Sequence, residues 1–200
     1  MIIGIDIDDT LTDIRDELKD AAINYAKQLG KNISNEDRYI ENQNNGNDYQ
    51  EKYGFNYEEL KYFLRVIQEE ITKNAKPREY VRETIKKLRE NGNKIYIITA
   101  RDVEFHDDPY KLSKDWLDNN NIEYDKIIVN AREKAKICKR EGIDIFIDDQ
   151  LANCMKVSNE GIKVIRITSY TEKHGHIINK ANWKEIYEYI EAMNKETINN

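Results

Sequence analysis

The stretch "IIGIDIDDTLTD", residues 2–13, decides how the rest of the chain is read. A run of aliphatic residues leads directly into Asp6, Asp8, Asp9 and Asp13, and Thr10 and Thr12 lie among them. The aliphatic run has the continuous apolar character of a strand buried on both faces. In an open parallel sheet, chemistry collects just past the carboxyl ends of such strands. The spacing of Asp6 and Asp8 points both side chains to one side of an extended segment, with Ile7 turned away. Four carboxylates this close together need positive charge nearby, and a bound cation is the expected source.

Outward from this stretch, short Ile/Val-rich runs alternate with helical periodicity, the pattern of an α/β fold with a Rossmann-like parallel sheet. Strands are predicted at Ile2 to Ile7, Lys94 to Ile98, Lys126 to Val129, Asp144 to Ile147 and Lys163 to Ile167. Helices are predicted at Arg78 to Glu90, Lys111 to Asn119, Glu133 to Glu141, Leu151 to Asn159 and Lys184 to Met193. Gly92, Gly142 and Gly161 stand where helix C-caps are needed. From Ile14 to Lys76 the strand pattern is lost and only helical periodicity remains. The expected organisation is therefore a core of residues 1–13 and 77–200 with a helical cap, residues 14–76, inserted after the first strand. Within that insertion, Asn42 to Asn47 form a polar, asparagine-rich segment open to disorder.

Composition narrows the function. The 200 residues suffice for one domain with an insertion, and the net charge of −6 opposes broad binding to a polynucleotide backbone. The two cysteines, Cys138 and Cys154, lack metal or disulfide spacing, which fits a reducing cytoplasm. No window approaches the 18 or so apolar residues of a membrane span, so no membrane partner is expected.

Three further features fall at predicted strand ends or helix starts. "YIITARD" places Thr99, Ala100 and Arg101 after the second strand, "IFIDDQ" places Asp148 and Asp149 after the fourth, and Lys134 opens the helix "EKAKICKREG". Each has a plainer reading. DxDxT also suits a helix N-cap, Thr99 a strand end, "FIDD" a strand stop, and Lys134 a solvated basic face. All four in this order make the plain readings jointly implausible. "HDD" at His106 to Asp108 and "HGH" at His174 to His176 lack a spaced third metal ligand and are assigned to loops.

The order DxDxT, strand-Thr, helix-Lys, strand-DD resembles the four motifs of the haloacid dehalogenase (HAD) superfamily, and the helical insertion resembles its C1-type cap. More narrowly, "GIDIDDTLTD", "IITARD", "WLDNNNIEYDKIIV" and "CKREGIDIFIDD" resemble the bacterial branch of the 5'(3')-deoxyribonucleotidase family, type C. Asp9 departs from the superfamily pattern, where glycine is common, and is read as supporting the site from outside.

The resemblance implies a Mg²⁺-dependent phosphomonoester hydrolase, most simply a 5'-nucleotidase acting through an aspartyl-phosphate. Asp6 would be the nucleophile and Asp8 the acid, then base. Mg²⁺ would be held by Asp6, the backbone carbonyl of Asp8, and Asp148, with Asp149 and Thr10 supporting that shell. Thr99, the Ala100 N–H and Lys134 would bind phosphate oxygens, and Arg101 would reach the substrate or brace its loop.

The implied partner is a small phosphate ester, a nucleoside monophosphate first. A nucleic acid polymer or membrane is not expected, and a homodimer is compatible. In the cap, Tyr53, Phe55, Tyr57, Tyr62 and Phe63 offer aromatic faces for a nucleobase, with Phe55 the best candidate. Helical spacing at Leu60, Phe63, Leu64 and Ile67 equally describes a cap core. Two other readings stand beside the nucleotidase: a phosphatase for another small ester such as a sugar phosphate, and a non-catalytic phosphate-binding module. The second pays no regard to the acid/base position that Asp8 supplies.

Overall fold

A computed structural model describes residues 1–33 and 48–198, without the side chains of Asp48 and residues 196–198. The asparagine-rich segment Asn42 to Asn47 lies outside the described residues. In chain order the elements are β1 (Ile2–Ile5), α1 (Arg15–Gln28), α2 (Asp48–Tyr53), α3 (Tyr57–Tyr62), a π-helical segment (Phe63–Gln68), α4 (Glu69–Asn74) and α5 (Val81–Glu90). There follow β2 (Lys94–Ile98), α6 (Pro109–Asn119), β3 (Lys126–Ile128), α7 (Lys134–Glu141), β4 (Ile145–Asp148), α8 (Leu151–Asn159), β5 (Lys163–Ile167), β6 (Ile178–Lys180) and α9 (Trp183–Ile198).

The strands form one parallel sheet in the order β3-β2-β1-β4-β5-β6. The chain builds outward from β1 to β3, then returns to the other side of β1 to lay down β4. β1 and β4 therefore flank the topological switch point, where connections depart to opposite sides and leave a crevice at the carboxyl edge. Ile3, Ile5, Ile95, Ile97, Ile145 and Ile147 pack on one face under α5, α6 and α9, through Ile85, Trp116 and Trp183 among others. Phe146, Ile98 and Val164 pack on the other face under α7 and α8, with Cys138, Cys154 and Val157. Gly4 lies on this second face, where a Cβ would sit 3.0 Å from Ile98 Cδ1 and 3.1 Å from Phe146 Cδ2. A side chain there would force the strand away from its neighbours.

β1 ends earlier than the aliphatic pattern predicts. The Asp6 N–H still donates to Ile147 O at 3.0 Å, but Thr10, Leu11 and Thr12 all donate to Ile7 O, closing a turn over it. Asp9 makes that turn at φ 57°, in the left-handed region that suits glycine. This backbone demand explains why glycine is the expected residue there. Asp9 meets it because its own carboxylate accepts from the Ile14 N–H at 3.1 Å.

The other differences are small. β6 was not legible because "INK" is three residues with no apolar run. Within the insertion, where helical periodicity is expected, the helix at Tyr57 begins with a reciprocal capping box between Asn56 and Glu59. It then passes through the π-helical turns Phe63–Gln68 before continuing as α4. Helices α1 to α3 and the π-helical segment share a hydrophobic cluster, built on Ala22, Ala26, Tyr53, Phe55, Leu60 and Phe63, against which Phe105 of the loop after β2 also packs. Among the described residues, no helix is long and apolar enough to cross a membrane.

Candidate active site

The crevice at the switch point gathers the predicted residues from four segments: the loop after β1, the loop after β2, the first turn of α7, and the end of β4. Lys134 holds it together. Its Nζ lies 2.7 Å from Asp6 Oδ1 and 2.7 Å from Asp148 Oδ2, and its side chain is 4% exposed. The solvated-face reading of Lys134 is thereby set aside: this one lysine of a basic helix turns inward because two buried carboxylates offset its desolvation.

The four carboxylates of residues 6 to 13 each find a cation within the protein. Asp6 pairs with Lys134. Asp8 pairs with Arg101, Nε to Oδ2 at 2.9 Å and Nη2 to Oδ1 at 2.7 Å. Asp9 lies 3.5 Å from Arg15 Nε, and Asp13 lies 3.0 Å from Arg78 Nη2. Protein cations thus answer every carboxylate of the run, a source of positive charge that the local sequence does not announce. Of the two roles expected for Arg101, reaching the substrate or bracing its loop, the structure shows its fork engaged on Asp8.

Asp148 is fully buried and heavily supported. Besides Lys134, Oδ1 accepts from the Gln150 N–H at 2.7 Å and Oδ2 from Asn153 Nδ2 at 3.1 Å. Asp149 is paired on both oxygens, with Thr10 Oγ1 donating to Oδ1 at 3.2 Å and Arg15 Nη2 donating to Oδ2 at 2.6 Å. The Thr10 hydroxyl also accepts from the Asp149 N–H at 3.1 Å, so these two residues lock the loops after β1 and β4 together. Thr99 is buried at the end of β2, where its N–H donates to Ile128 O at 3.0 Å, and Ala100 beside it is exposed.

Burial and charge set the protonation of the cluster. Burial, with Asp148 and Asp8 nearby, pushes Asp6 up to about 7 against the pull of Lys134. Burial also acts on Asp8, but the Arg101 guanidinium prevails and holds its carboxyl below the usual range. Asp149 is pushed well up by burial and by Asp148 and Asp9, and Asp9 itself is raised by burial. Burial opposes the charge on Lys134, yet Asp148 and Asp6 outweigh it and keep the ammonium firmly protonated.

Asp6, Asp148 and Asp149 each offer an oxygen within 4.8 Å of the others. The donor set is all hard oxygen, with neither thiol nor imidazole, and all three carboxylates are buried, a combination that fits Mg²⁺.

The rest of the neighbourhood departs from expectation in two places. Phe55 is 3% exposed, with ring centroids 5.2 Å from Tyr25 and 5.7 Å from Phe63, so it packs inside the helical insertion and offers no face to a ligand. The loop assignment of "HDD" holds, but the loop is a strut. His106 is buried with Nδ1 3.1 Å from Glu69, and Asp107 pairs with Arg65, both partners lying in the insertion.

Several site residues were missed. Arg166 is 2% exposed in β5 and donates to Asp149 O at 2.9 Å. A lone arginine inside "KVIRI" was a usable signal, because a charge within a buried strand needs a partner. Arg15, Arg78 and Asn153 carried no comparable mark.

Comparison with known proteins agrees with this geometry. The family model described as 5' nucleotidase, deoxy (Pyrimidine), cytosolic type C matches residues 1–196. A nucleotidase of Clostridium acetobutylicum is 30% identical over 147 residues, 72% of this chain and 70% of that protein. A Bacillus cereus protein carrying a provisional nucleotidase name is 27% identical over 198 residues, 95% of this chain and 98% of that one. Among solved structures, a family IA HAD hydrolase of Entamoeba histolytica superposes with a TM-score of 0.70 at 15% identity, over 92% of this chain and 94% of that one.

Proposed function

From the premise that this chain belongs to the cytosolic type C 5' nucleotidase family of HAD-like phosphatases, we propose that it hydrolyses nucleoside monophosphates in two displacements through Asp6. The observation that carries this reading is the placement of Asp6. It stands at the switch point with one oxygen held by Lys134, while Asp8, two residues on, is held separately by Arg101.

In the first displacement Asp6 attacks phosphorus in line, the ester O–P bond breaks, and Asp8 gives a proton to the departing alkoxide. In the second, Asp8 takes a proton from water, the new O–P bond forms, and the Asp6–phosphorus bond breaks. The first step needs Asp6 unprotonated at the start, and the second releases it as a carboxylate; Lys134 stabilises that form in both. Lys134, Thr99 and the Ala100 N–H serve the equatorial oxygens, over which transition-state charge is spread. Asp6, Asp148 and the backbone carbonyl of Asp8 would hold Mg²⁺, with Asp149 supporting them through Thr10. When bound, the ion supplies neutralisation of phosphoryl charge.

Residues 14–76 act in this reading as a cap over the site. Their hydrophobic cluster, separate from the two that cover the sheet and met by the core, among the described residues, only through Phe105, supports a unit that moves as one body. Its two connections to the core run side by side, bridged at Thr12 and Pro77. Arg78 braces both, donating to Thr12 O at 2.8 Å and Asp9 O at 3.0 Å. Such a lid admits small esters and excludes polymer ends and phosphoproteins. A cytoplasmic setting suits the two free, buried cysteines.

The test is phosphate release from a panel of ribo- and deoxyribonucleoside monophosphates, sugar phosphates and an aryl phosphate. Nucleotides should lead the panel, EDTA should stop release, and Mg²⁺ should restore it. Preference for a sugar phosphate would reassign the substrate, and full activity in chelator would remove the metal.

A further inference from the structure

The residue whose role the site leaves open is Arg101. It is 5% exposed, beside the proposed acid/base, and every nitrogen of its guanidinium has a partner. Nε and Nη2 hold the two oxygens of Asp8 at 2.9 and 2.7 Å. Nη1 donates to Ser113 Oγ at 3.3 Å, and that hydroxyl in turn donates to Pro109 O at 2.8 Å in the first turn of α6. The backbone is fixed as well, since the Asn130 N–H donates to Arg101 O at 2.8 Å. An arginine that binds phosphate presents its fork to the site. Here the fork is spent on a carboxylate, and the remaining nitrogen is tied to a helix wall.

We infer that Arg101 is a positioning residue that acts on the reaction through Asp8 and does not bind the phosphate, with Ser113 as the tether that fixes its guanidinium. The inference rests on the reading of Asp8 as acid, then base. A carboxyl group next to a leaving oxygen can rotate about its side-chain bonds, and a proton aimed some tens of degrees away is not delivered. A two-point clamp removes that freedom. A phosphate dianion beside Asp8 opposes the pull of Arg101 and favours the protonated form; the unprotonated oxygen can still accept from the fork, which fixes the carboxyl plane. Ser113 holds the guanidinium in place.

This role has a signature that phosphate binding lacks. An alkoxide leaving group needs the proton, whereas an aryl oxide departs without it. Arg101→Ala should therefore lower kcat on a nucleoside 5'-monophosphate by about 10²-fold, the scale of one proton transfer, with KM little changed. On p-nitrophenyl phosphate the nitrophenolate burst should slow several-fold at most, and the burst is the quantity to compare, because water attack on phospho-Asp6 uses Asp8 whichever ester was cleaved. Asp8→Asn combined with Arg101→Ala should be no slower than Asp8→Asn alone, because residues that act as a unit are non-additive. Ser113→Ala should show the same substrate dependence with a smaller loss.

Equal losses on both substrates with a raised KM, or full additivity with Asp8→Asn, would overturn the inference and make Arg101 a phosphate ligand. Should Arg101→Ala fail to fold, Arg101→Lys retains the charge but not the fork and is read by the same two-substrate comparison. If the wild-type protein cleaves the aryl ester but no nucleotide, the nucleotidase reading fails separately, and the test of Arg101 proceeds on whichever alkyl phosphate is turned over.

Discussion

Two buried regions of this protein look alike in sequence and differ in structure: the crevice at the carboxyl edge of the sheet, and the aromatic cluster inside the helical insertion. Both are dense in residues that invite a functional reading. In the crevice, Asp6, Asp8, Asp148 and Asp149 are each opposed by Lys134, Arg101 or Arg15 across loops far apart in sequence. In the insertion, Tyr25, Tyr49, Tyr53, Phe55 and Phe63 pack ring against ring, some stacked and others tilted or edge-on. The difference lies in what each group can do when buried. A buried carboxylate stays costly unless something answers it, so a cluster of them marks a purpose. Aromatic rings satisfy one another and need no ligand.

The sharpest way to break this contrast is in the crevice. Asp6→Asn keeps the shape of the side chain and removes the nucleophile, so turnover should fall by at least about 10³-fold, some 4 kcal/mol of barrier, while the thermal midpoint holds. A loss of less than about tenfold would remove Asp6 from its role. Lys134→Met strikes the same place from the other side. It leaves Asp6 and Asp148 buried without their shared cation, a defect that typically costs about 3–5 kcal/mol. Denaturant unfolding should register that loss, and Mg²⁺ should recover part of it by taking the place of the ammonium charge. A Lys134→Met protein as stable as wild type would mean that the pair distances overstate the coupling.

The insertion predicts a different kind of damage. Phe55→Ala should cost about 3–5 kcal/mol, the usual range for a buried aromatic, concentrated in the cap. Its effect on kcat/KM should be the same for a nucleotide and for an aryl phosphate. A selective loss on nucleotides would return Phe55 to base recognition and blur the distinction drawn here.

What was legible in the sequence follows the same division. The strands, the motif residues at their ends and the capping glycines are encoded locally, by a run of isoleucines or a residue two positions from another. Lys94 to Ile98, Lys163 to Ile167 and Leu151 to Asn159 accordingly come out with the predicted limits. The partners are not encoded locally. Nothing near Arg15 announces Asp149, 134 residues away, and nothing near Arg101 announces Asp8, 93 away. Phe55 was ambiguous for the opposite reason, since an aromatic residue at the edge of a helix has the same sequence signature in a core as in a pocket. Asp9 shows a third case: its left-handed backbone conformation is visible only as a departure from the expected glycine.

The smallest effect is a pH dependence, and its sign separates the crevice from an ordinary surface cluster. Asp6 is raised by burial from an ordinary carboxylate value of 3.8 to about 7, and Asp9 and Asp149 are raised with it. Between those two values the folded protein holds protons that the unfolded chain has released, so stability falls as pH rises. The contribution is complete below about 3.8 and gone once pH passes about 7. Asp8 runs the other way, being lowered chiefly by Arg101 against the effect of burial, so its contribution is lost only as pH falls below the ordinary value and does not oppose the trend within the window. The metal-free protein should thus melt a few degrees higher at about pH 5 than at about pH 8, at roughly 2–4 °C per kcal/mol for a chain of this size. Mg²⁺ should close the gap from the alkaline side, since a cation among Asp6, Asp148 and Asp149 favours their ionised forms. Surface carboxylates paired with lysine or arginine produce the opposite slope, stability rising with pH. A metal-free midpoint that climbs from pH 5 to pH 8, or one that Mg²⁺ raises equally at both, would mean that the crevice carboxylates are no more strained than those on the surface.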